Sequence, residues 1–202
     1  MNDYPKTSHD RIFEEKSALR SKYKKLRAEI PTDVKKESDR AICERISALP
    51  CFTLANTILM YSPVGSEVDV TPIAERALAL NKKIAYPVCD TDTCTMTFRY
   101  VSDLKELSTG SYNIKEPLQS APLLLEADPK KQLCIVPALS FDARGFRLGY
   151  GKGYYDKFLK SFGGTSVGVV YESSFAEVLP ADKFDIPVQL IITERRSVST
   201  DA

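Results

Sequence analysis

The chain has 202 residues, 43% hydrophobic and 27% charged, a composition typical of a single globular domain with a substantial core. Lysine and arginine number 28 against 27 acidic residues, so no global field attracts nucleic acid and any anion site must be local. No stretch approaches the ~20 apolar residues of a membrane span, and the polar N-terminal residues lack a signal-peptide core. We therefore expect a soluble, cytoplasmic protein without nucleic-acid or membrane partners.

Cysteine and histidine usage narrows the possible chemistry. The five cysteines are odd in number and include no Cys-x-x-Cys pair, which argues against a disulfide framework and a zinc site. The single histidine, His9, lies in the polar N-terminal stretch. A histidine general base or a histidine-rich metal centre is therefore disfavoured.

The N-terminal part is predicted to be a disordered tail over residues 1–9, followed by one domain over residues 10–202. A first helix is predicted over residues 10–29. Basic residues at helical spacing form a stripe beside its apolar seam: Lys16, Arg20, Lys24 and Arg27. A stripe in this position is predicted to reach into a cleft, with a solvated charged face as the alternative.

Strands and helices alternate along the rest of the chain. Further helices are predicted over residues 33–49, 71–80 and 155–162, the first of them ended by Pro50. Strands are predicted over residues 57–61, 83–88, 95–101, 133–137, 166–171 and 190–193. Residues 110–129 are predicted to be irregular and residues 141–145 to form a turn.

This alternation predicts an α/β fold, a three-layer sandwich with a mostly parallel sheet covered on both faces. In such sheets, ligands lie outside the carboxyl ends of the strands. The loop after the first strand, with Glu67, and the glycine-rich segment after residues 133–137 are therefore expected on the same side of the protein.

The glycine-rich segment at residues 147–156 reads Arg-Leu-Gly-Tyr-Gly-Lys-Gly-Tyr-Tyr-Asp. Its alternating glycines expose backbone N–H groups to an anion. Arg147 and Lys152 add cationic donors, and Asp156 adds an oxygen ligand of the kind that Mg²⁺ prefers. The spacing fits neither a Walker A loop nor a dinucleotide fingerprint. We therefore predict another kind of nucleotide-phosphate site, with a plain glycine-rich turn as the alternative.

Four blocks along the chain carry a resemblance to a known family: Lys16-x-x-Leu19-Arg20, Tyr61-Ser-Pro with Glu67-Val-Asp69, Phe141-Asp-x-x-Gly145-x-Arg147 continuing to Asp156, and Asp185-Ile-Pro. In order and spacing they resemble the 5-formyltetrahydrofolate cyclo-ligases, or methenyltetrahydrofolate synthetases. The third block is highly specific, whereas the others are weak alone. The resemblance implies a fold similar to sugar-phosphate isomerases and CoA transferases.

The same resemblance implies an ATP-dependent ligase that forms a carbon–nitrogen ring bond. Its partners would be ATP and 5-formyltetrahydrofolate, its product 5,10-methenyltetrahydrofolate with ADP and phosphate, and its cofactor Mg²⁺. In the family chemistry, phosphorylation of the formyl oxygen gives an iminium phosphate that N10 attacks, so phosphate leaves instead of hydroxide. Such phosphoryl transfer needs alignment and charge neutralisation, and no histidine. We expect a monomer.

Carried over by position, the resemblance implies roles for particular residues. Lys152, Arg147 and Arg20 would be catalytic. The implied ATP-binding residues are Lys16, Arg20, Arg147, Leu148, Gly149, Tyr150, Gly151, Lys152, Gly153, Tyr154 and Tyr155. The folate would contact Tyr61, Glu67 and Tyr154. Asp156 and Asp185 would serve Mg²⁺. Two positions depart from the family pattern: Gln189, where a second Asp is frequent, and Tyr150, which is basic in some relatives.

Structural roles are the alternatives for single residues. Glu67 would then be an exposed loop acid, Tyr154 and Tyr155 would be core packing, and Asp156 would cap a helix start or interact with the helix dipole. Two alternatives exist for the whole chain. A binding-only relative that acts with RNA would be expected to have a basic surface, and an isomerase or CoA-transferase relative would not use ATP.

Overall fold

The computed structural model describes residues 8–125 and 128–201, and five α-helices lie within this part of the chain. They are α1 (Ser8–Ala28), α2 (Thr32–Ser47), α3 (Pro50–Leu54), α4 (Thr71–Ala79) and α5 (Tyr154–Leu159). Because α1 begins at Ser8, His9 belongs to a helix and not to the predicted tail. The prediction of disorder for residues 1–7 lies outside the described residues. None of the described helices is long and apolar enough to cross a membrane.

The strands are β1 (Thr57–Leu59), β2 (Lys83–Asp90), β3 (Thr95–Val101), β4 (Ser108–Thr109), β5 (Lys115–Glu116), β6 (Gln132–Pro137), β7 (Ser140–Asp142), β8 (Arg147–Leu148), β9 (Thr165–Val169), β10 (Phe175–Ala176), β11 (Leu190–Ile192) and β12 (Ser197–Ser199). Seven of them form the main sheet in the order β12-β11-β9-β6-β1-β2-β3. The five inner strands are parallel, and the edge strands β12 and β3 are antiparallel to their neighbours. The prediction of a mostly parallel sheet is confirmed.

Successive residues of the inner strands point into two separate cores, as the period of two requires. Ile58 of β1 and Ile135 of β6 pack with the buried faces of α2 and α4. Leu59 of β1 and Val136 of β6 point to the opposite face, into a core shared with α5. The sheet is thus buried between two layers, which confirms the three-layer α/β arrangement. The likeness to sugar-phosphate isomerases and CoA transferases stays a prediction.

Helix α1 packs against a second, three-stranded sheet in the order β10-β7-β8. Its apolar residues, among them Leu19, Tyr23 and Leu26, join Leu148 of β8 in a third core. Because β7 begins three residues after the end of β6, this small sheet lies beyond the carboxyl end of a central strand. The packing therefore brings α1, with its basic stripe, to the edge of the main sheet where ligands bind in α/β proteins.

Two predictions about local structure need correction. Pro50 does not simply end a helix, because it begins the short helix α3, where its missing N–H costs nothing. Residues 110–129 are not wholly irregular, since they contain β5, which pairs with β4. Strands β10 and β12 were not predicted, because segments of two and three residues carry too little periodicity.

The predicted turn is found at residues 143–145, whereas Phe141 and Asp142 belong to β7, and the turn is built around the Asp142 side chain. The carboxylate of Asp142 has no solvent exposure, accepts the N–H groups of Arg144, Phe146 and Leu179, and pairs with the Arg144 guanidinium at 2.6 Å. Gly145 adopts φ +89°, and a Cβ there would lie 2.4 Å from the carbonyl oxygen of Val188. This turn fixes the chain just before the glycine-rich segment.

We predict that Asp142→Asn lowers the free energy of unfolding by about 2–3 kcal/mol, because buried N–H groups and a guanidinium lose a charged acceptor. Urea denaturation measures the change. Asp92→Asn, at an exposed position, is the control and is expected to cost less than about 0.5 kcal/mol. Equal stability of the two variants would contradict the role given to Asp142.

Candidate active site

A cavity of ≈ 410 Å³ opens at the carboxyl ends of β1, β2 and β6. Its lining includes every residue predicted for the site: Lys16, Arg20, Tyr61, Glu67, Arg147, Leu148, Gly149, Tyr150, Gly151, Lys152, Gly153, Tyr154, Tyr155, Asp156 and Asp185. The prediction that the Glu67 loop and the glycine-rich segment share one side of the sheet is therefore confirmed. The ligand each residue contacts stays a prediction.

The basic stripe of α1 forms one wall of the cavity. Lys16 is only 9% exposed, and its ammonium lies 2.5 Å from Oδ2 of Asp185. The Arg20 Nε donates a hydrogen bond of 2.9 Å to the carbonyl oxygen of Gly149, and burial lowers the pKa of this guanidinium. Lys16 and Arg20 thus reach into the cleft as predicted, whereas Arg27 is buried outside the cavity lining and Lys24 has the exposed position expected of a solvated face.

The glycine loop, residues 149–153, lies against this wall. Gly151 has φ +99°, and a Cβ there would lie 3.2 Å from the Arg20 Cζ. Gly153, at φ +73°, is the residue from which α5 begins. Residues other than glycine rarely adopt such dihedrals, so these two positions explain why the loop needs glycine. A loop of this kind can present backbone N–H groups to an anion.

The buried Arg147 and the partly exposed Asp156 form an ion pair at the start and end of the glycine-rich segment. Arg147 is 8% exposed, and its Nη2 lies 2.6 Å from Oδ1 of Asp156. Burial lowers the pKa of this arginine and Asp156 raises it, but a guanidinium stays charged. The same Oδ1 accepts the N–H of Ile186 at 3.2 Å, whereas α5 has no side-chain cap. Asp156 is therefore not a helix cap, although it lies in the first turn of α5, where a negative charge suits the helix dipole.

Asp156 and Asp185 are the candidate metal ligands. In the described parts of the chain, no group of three or more His, Cys, Asp or Glu side chains could hold a metal ion. Mg²⁺, however, is usually bound by one or two carboxylates together with substrate phosphates and water. The bonds of Asp156 use Oδ1 and those of Asp185 use Oδ2, which leaves the second oxygen of each carboxylate for a cation. This donor set fits Mg²⁺ that arrives with a nucleotide.

Gln189, where the family often has a second aspartate, does not belong to the cavity. Its side-chain oxygen accepts the N–H of Ser166 in β9 at 2.9 Å, and the Ser166 hydroxyl accepts the N–H of Gln189. The side chain therefore joins neighbouring strands, and the departure from the family pattern leaves the lining of the cavity unchanged.

Glu67 lies on another part of the cavity wall and is 5% exposed, so the alternative of an exposed loop acid is wrong. Its Oε2 accepts the N–H of Val64 at 2.9 Å. Burial raises the pKa of Glu67, and the Val64 N–H, Arg27 and Tyr150 partly offset this rise. The neighbouring Tyr61 is also buried and donates its hydroxyl to the carbonyl oxygen of Val68 at 2.7 Å.

Two tyrosines after the glycine loop serve both the core and the cavity. Tyr154 and Tyr155 pack against the core on the α5 face of the sheet and also line the cavity. The Tyr154 ring meets Tyr112 edge to face, with centroids 6.5 Å apart. The Tyr155 hydroxyl is buried without a hydrogen-bond partner in the described structure. A buried hydroxyl of this kind is available to a ligand.

The sequence did not predict one wall of the cavity, which comes from the segment around β5: Tyr112, Ile114, Lys115 and Glu116. Tyr112 and Asn113 have positive φ values, and Gly110 precedes them. Glycine and asparagine indicate a turn, but they do not reveal which element the turn packs against. Residues of the main sheet and the loop after β1 complete the unpredicted lining: Ser62, Val64, Pro87, Cys89, Met96 and Pro137.

The cavity therefore combines two chemical surfaces. One has backbone N–H groups and cations suited to phosphates. The other has aromatic rings and a buried carboxylate suited to a flat ring with N–H donors.

Relatives in sequence were found for most of the chain. A family model described as the 5-formyltetrahydrofolate cyclo-ligase family matches residues 12–194. The mitochondrial 5-formyltetrahydrofolate cyclo-ligase of Arabidopsis thaliana is 31% identical over 169 residues, or 76% of this chain and 60% of that protein. The 5-formyltetrahydrofolate cyclo-ligase of Escherichia coli (strain K12) is 25% identical over 171 residues, or 83% of this chain and 93% of that protein.

Solved structures agree with this assignment. A 5,10-methenyltetrahydrofolate synthetase from Aquifex aeolicus has a TM-score of 0.78 and 30% identity, with 93% of each chain covered. The synthetase from Mycoplasma pneumoniae has a TM-score of 0.70 and 25% identity, with 89% of this chain and 99% of that chain covered. The chain belongs to the 5-formyltetrahydrofolate cyclo-ligase family.

Proposed function

We propose that this protein uses ATP to convert 5-formyltetrahydrofolate to 5,10-methenyltetrahydrofolate, releasing ADP and phosphate. The observation that carries the proposal is the single cavity in which the glycine loop and its cations share a lining with Glu67 and the tyrosines. A reaction between ATP and a folate needs both surfaces within reach of one reacting oxygen.

The phosphates of ATP would lie along the glycine loop. Arg20 already contacts this loop, and Arg147 lies buried at its start. In the described structure Lys152 forms no hydrogen bond or ion pair, and its exposed side chain lines the cavity. Lys152 can therefore turn onto the γ-phosphate and neutralise the charge that develops during transfer.

Mg²⁺ would be held by Asp156 and Asp185 together with the phosphates of ATP. When bound, it would neutralise phosphate charge and orient the transferring group. Each carboxylate now faces a cation of the chain, Arg147 and Lys16 respectively. The same two cations contribute positive charge beside the phosphates.

The folate ring would lie against Glu67, Tyr61 and Tyr154. In its ionised form Glu67 accepts hydrogen bonds from the amino and ring N–H groups of the pterin. This pairing would turn the formyl oxygen towards the glycine loop. Transfer of the γ-phosphoryl group to that oxygen breaks the bond to ADP and gives an iminium phosphate. N10 then attacks the formyl carbon, loses its proton, and phosphate leaves.

We further propose that the protein works in the cytoplasm as a monomer, without nucleic-acid or membrane partners. The near balance of 28 basic and 27 acidic residues supports the absence of a nucleic-acid partner. Size-exclusion chromatography with light scattering tests the oligomeric state.

Incubation with 5-formyltetrahydrofolate, ATP and Mg²⁺ tests the activity through the absorbance of methenyltetrahydrofolate. Reactions without ATP are the control, because an isomerase or CoA-transferase relative would not depend on ATP. A binding-only relative would give no product under either condition. Folded protein that forms no product with all three components present would refute the proposed function.

We predict that Lys152→Ala lowers kcat by at least ~10²-fold, since it removes a donor aimed at the transferring charge. Steady-state kinetics with saturating folate and ATP measure the effect. Lys160→Ala is the matched control, because Lys160 is an exposed lysine outside the cavity. Near-normal turnover of Lys152→Ala would contradict its assignment.

We predict that Glu67→Gln raises the KM for 5-formyltetrahydrofolate by about tenfold and the KM for ATP by less than about twofold. The amide keeps the size of the side chain but loses the charged acceptor for the pterin. Glu75→Gln, at an exposed position of α4, serves as the control. Equal increases in both KM values would indicate structural damage instead.

A further inference from the structure

Arg27, the last member of the basic stripe, is buried away from solvent and holds three segments together. It is 5% exposed. Its Nε donates to the Ser66 hydroxyl at 3.0 Å, and its Nη1 donates to the carbonyl oxygen of Ala138 at 3.3 Å. Its Nη2 donates to the Tyr150 hydroxyl at 2.6 Å. A buried guanidinium is retained at a high desolvation cost, so a network of this kind calls for a specific role.

Tyr150 belongs to the glycine loop and lines the cavity together with Glu67. That oxygen accepts the bond from Arg27, and the ring lies 5.2 Å from the Lys24 ammonium. The hydroxyl also interacts with the Glu67 carboxylate, which lowers the pKa of Glu67 and raises that of Tyr150. An ionised carboxylate has no proton to donate, so the hydroxyl is the donor in this interaction. Arg27 therefore joins Tyr150 to Ser66, the residue before Glu67, and the Tyr150 hydroxyl interacts with both Arg27 and Glu67.

Other titratable side chains also lie near the Glu67 carboxylate. Among the described residues, the titratable groups that interact with it include, besides Arg27 and Tyr150, the hydroxyls of Tyr61 and Tyr155. Tyr171 contacts the backbone carbonyl of Glu67, not its carboxylate. Arg27 is thus the cation whose charge acts on this buried acid, and Tyr150 connects the two.

We propose that Arg27 and Tyr150 are positioning residues that hold the Glu67 carboxylate towards the folate from within the nucleotide-binding loop. The proposal rests on the proposed function. Neither residue needs to touch a reacting atom, because Tyr150 fixes the direction of the carboxylate and Arg27 fixes Tyr150. Positioning of this kind matters because small displacements of an orienting group reduce the rate strongly.

Tyr150 is flanked by Gly149 and Gly151 in the nucleotide-binding loop, so a role in the binding of folate is unexpected. If Tyr150 served the nucleotide, its loss would weaken the binding of ATP. If it positions Glu67, loss of its hydroxyl leaves the loop and its cations in place and weakens the binding of folate. The two roles therefore separate in the KM values.

We predict that Tyr150→Phe raises the KM for 5-formyltetrahydrofolate by about tenfold and changes the KM for ATP by less than about twofold. Tyr100→Phe is the matched control, since Tyr100 lies in β3 outside the cavity lining. An increase confined to the KM for ATP, or no change in either KM, would overturn the proposal.

The pH dependence of kcat/KM for folate is a second test, because a residue with a merely structural role would not shift it. Glu67 must be ionised to accept the pterin N–H groups, so kcat/KM for folate falls as the pH drops through its pKa. Tyr150 and Arg27 both lower that pKa. In Tyr150→Phe the acid limb of the profile is therefore expected at higher pH, whereas Arg27→Lys, which keeps the positive charge, is expected to move it less. A uniform loss at all pH values would indicate a structural role only.

Arg27→Lys keeps the positive charge but loses the several N–H donors of the guanidinium. It provides a second test of the proposal if the Tyr150 variant does not fold. Arg45→Lys is its control, because Arg45 also donates to backbone carbonyls but, unlike Arg27, bonds to no residue of the cavity lining. The affinity for 5-formyltetrahydrofolate without ATP separates the two hypotheses. An inactive wild type would refute the proposed function. Unchanged folate affinity in both Arg27→Lys and Tyr150→Phe would refute only the positioning role of Arg27 and Tyr150.

Discussion

The burial of the α1 cations beside the glycine loop is the interaction on which the site depends. The apolar seam of α1 packs on the small sheet, and this packing places Lys16 and Arg20 in the cavity wall and buries Arg27 behind Tyr150. Buried cations must find partners. They find a carboxylate, the carbonyl oxygen of Gly149 and the hydroxyl of Tyr150, and through these contacts the helix holds the loop in place.

The need of buried cations for partners also explains why two acidic residues, Asp156 and Asp185, line a site proposed to bind an anion. Lys16 and Arg147 would leave strong positive charge in a partly buried cleft, and Asp185 and Asp156 neutralise it. Under the proposed function, the phosphates of ATP take over the neutralisation of the cations. The carboxylates then become available to Mg²⁺, so one set of four side chains serves the empty and the occupied cleft.

Much of this arrangement could be predicted from the sequence because its signals are local. The buried parallel strands are apolar runs, such as residues 133–136, and the glycine-rich segment has its functional groups within ten residues. The wall around Tyr112 could not be predicted, since its place depends on pairing between β4 and β5 and on packing against Tyr154. Periodicity also placed Arg27 on the stripe without revealing its three partners.

Tyr150 shows how a departure from a family pattern acquires a physical meaning. A basic side chain at this position could not accept the hydrogen bond that the Arg27 Nη2 donates, because it has no acceptor atom. A hydroxyl can accept from a guanidinium and donate to a carboxylate at once, which suits a position between Arg27 and Glu67. Tyr150 and Arg27 therefore form a matched pair in this chain. A basic residue at position 150 would instead place two cations against each other and leave Glu67 to be positioned by other means.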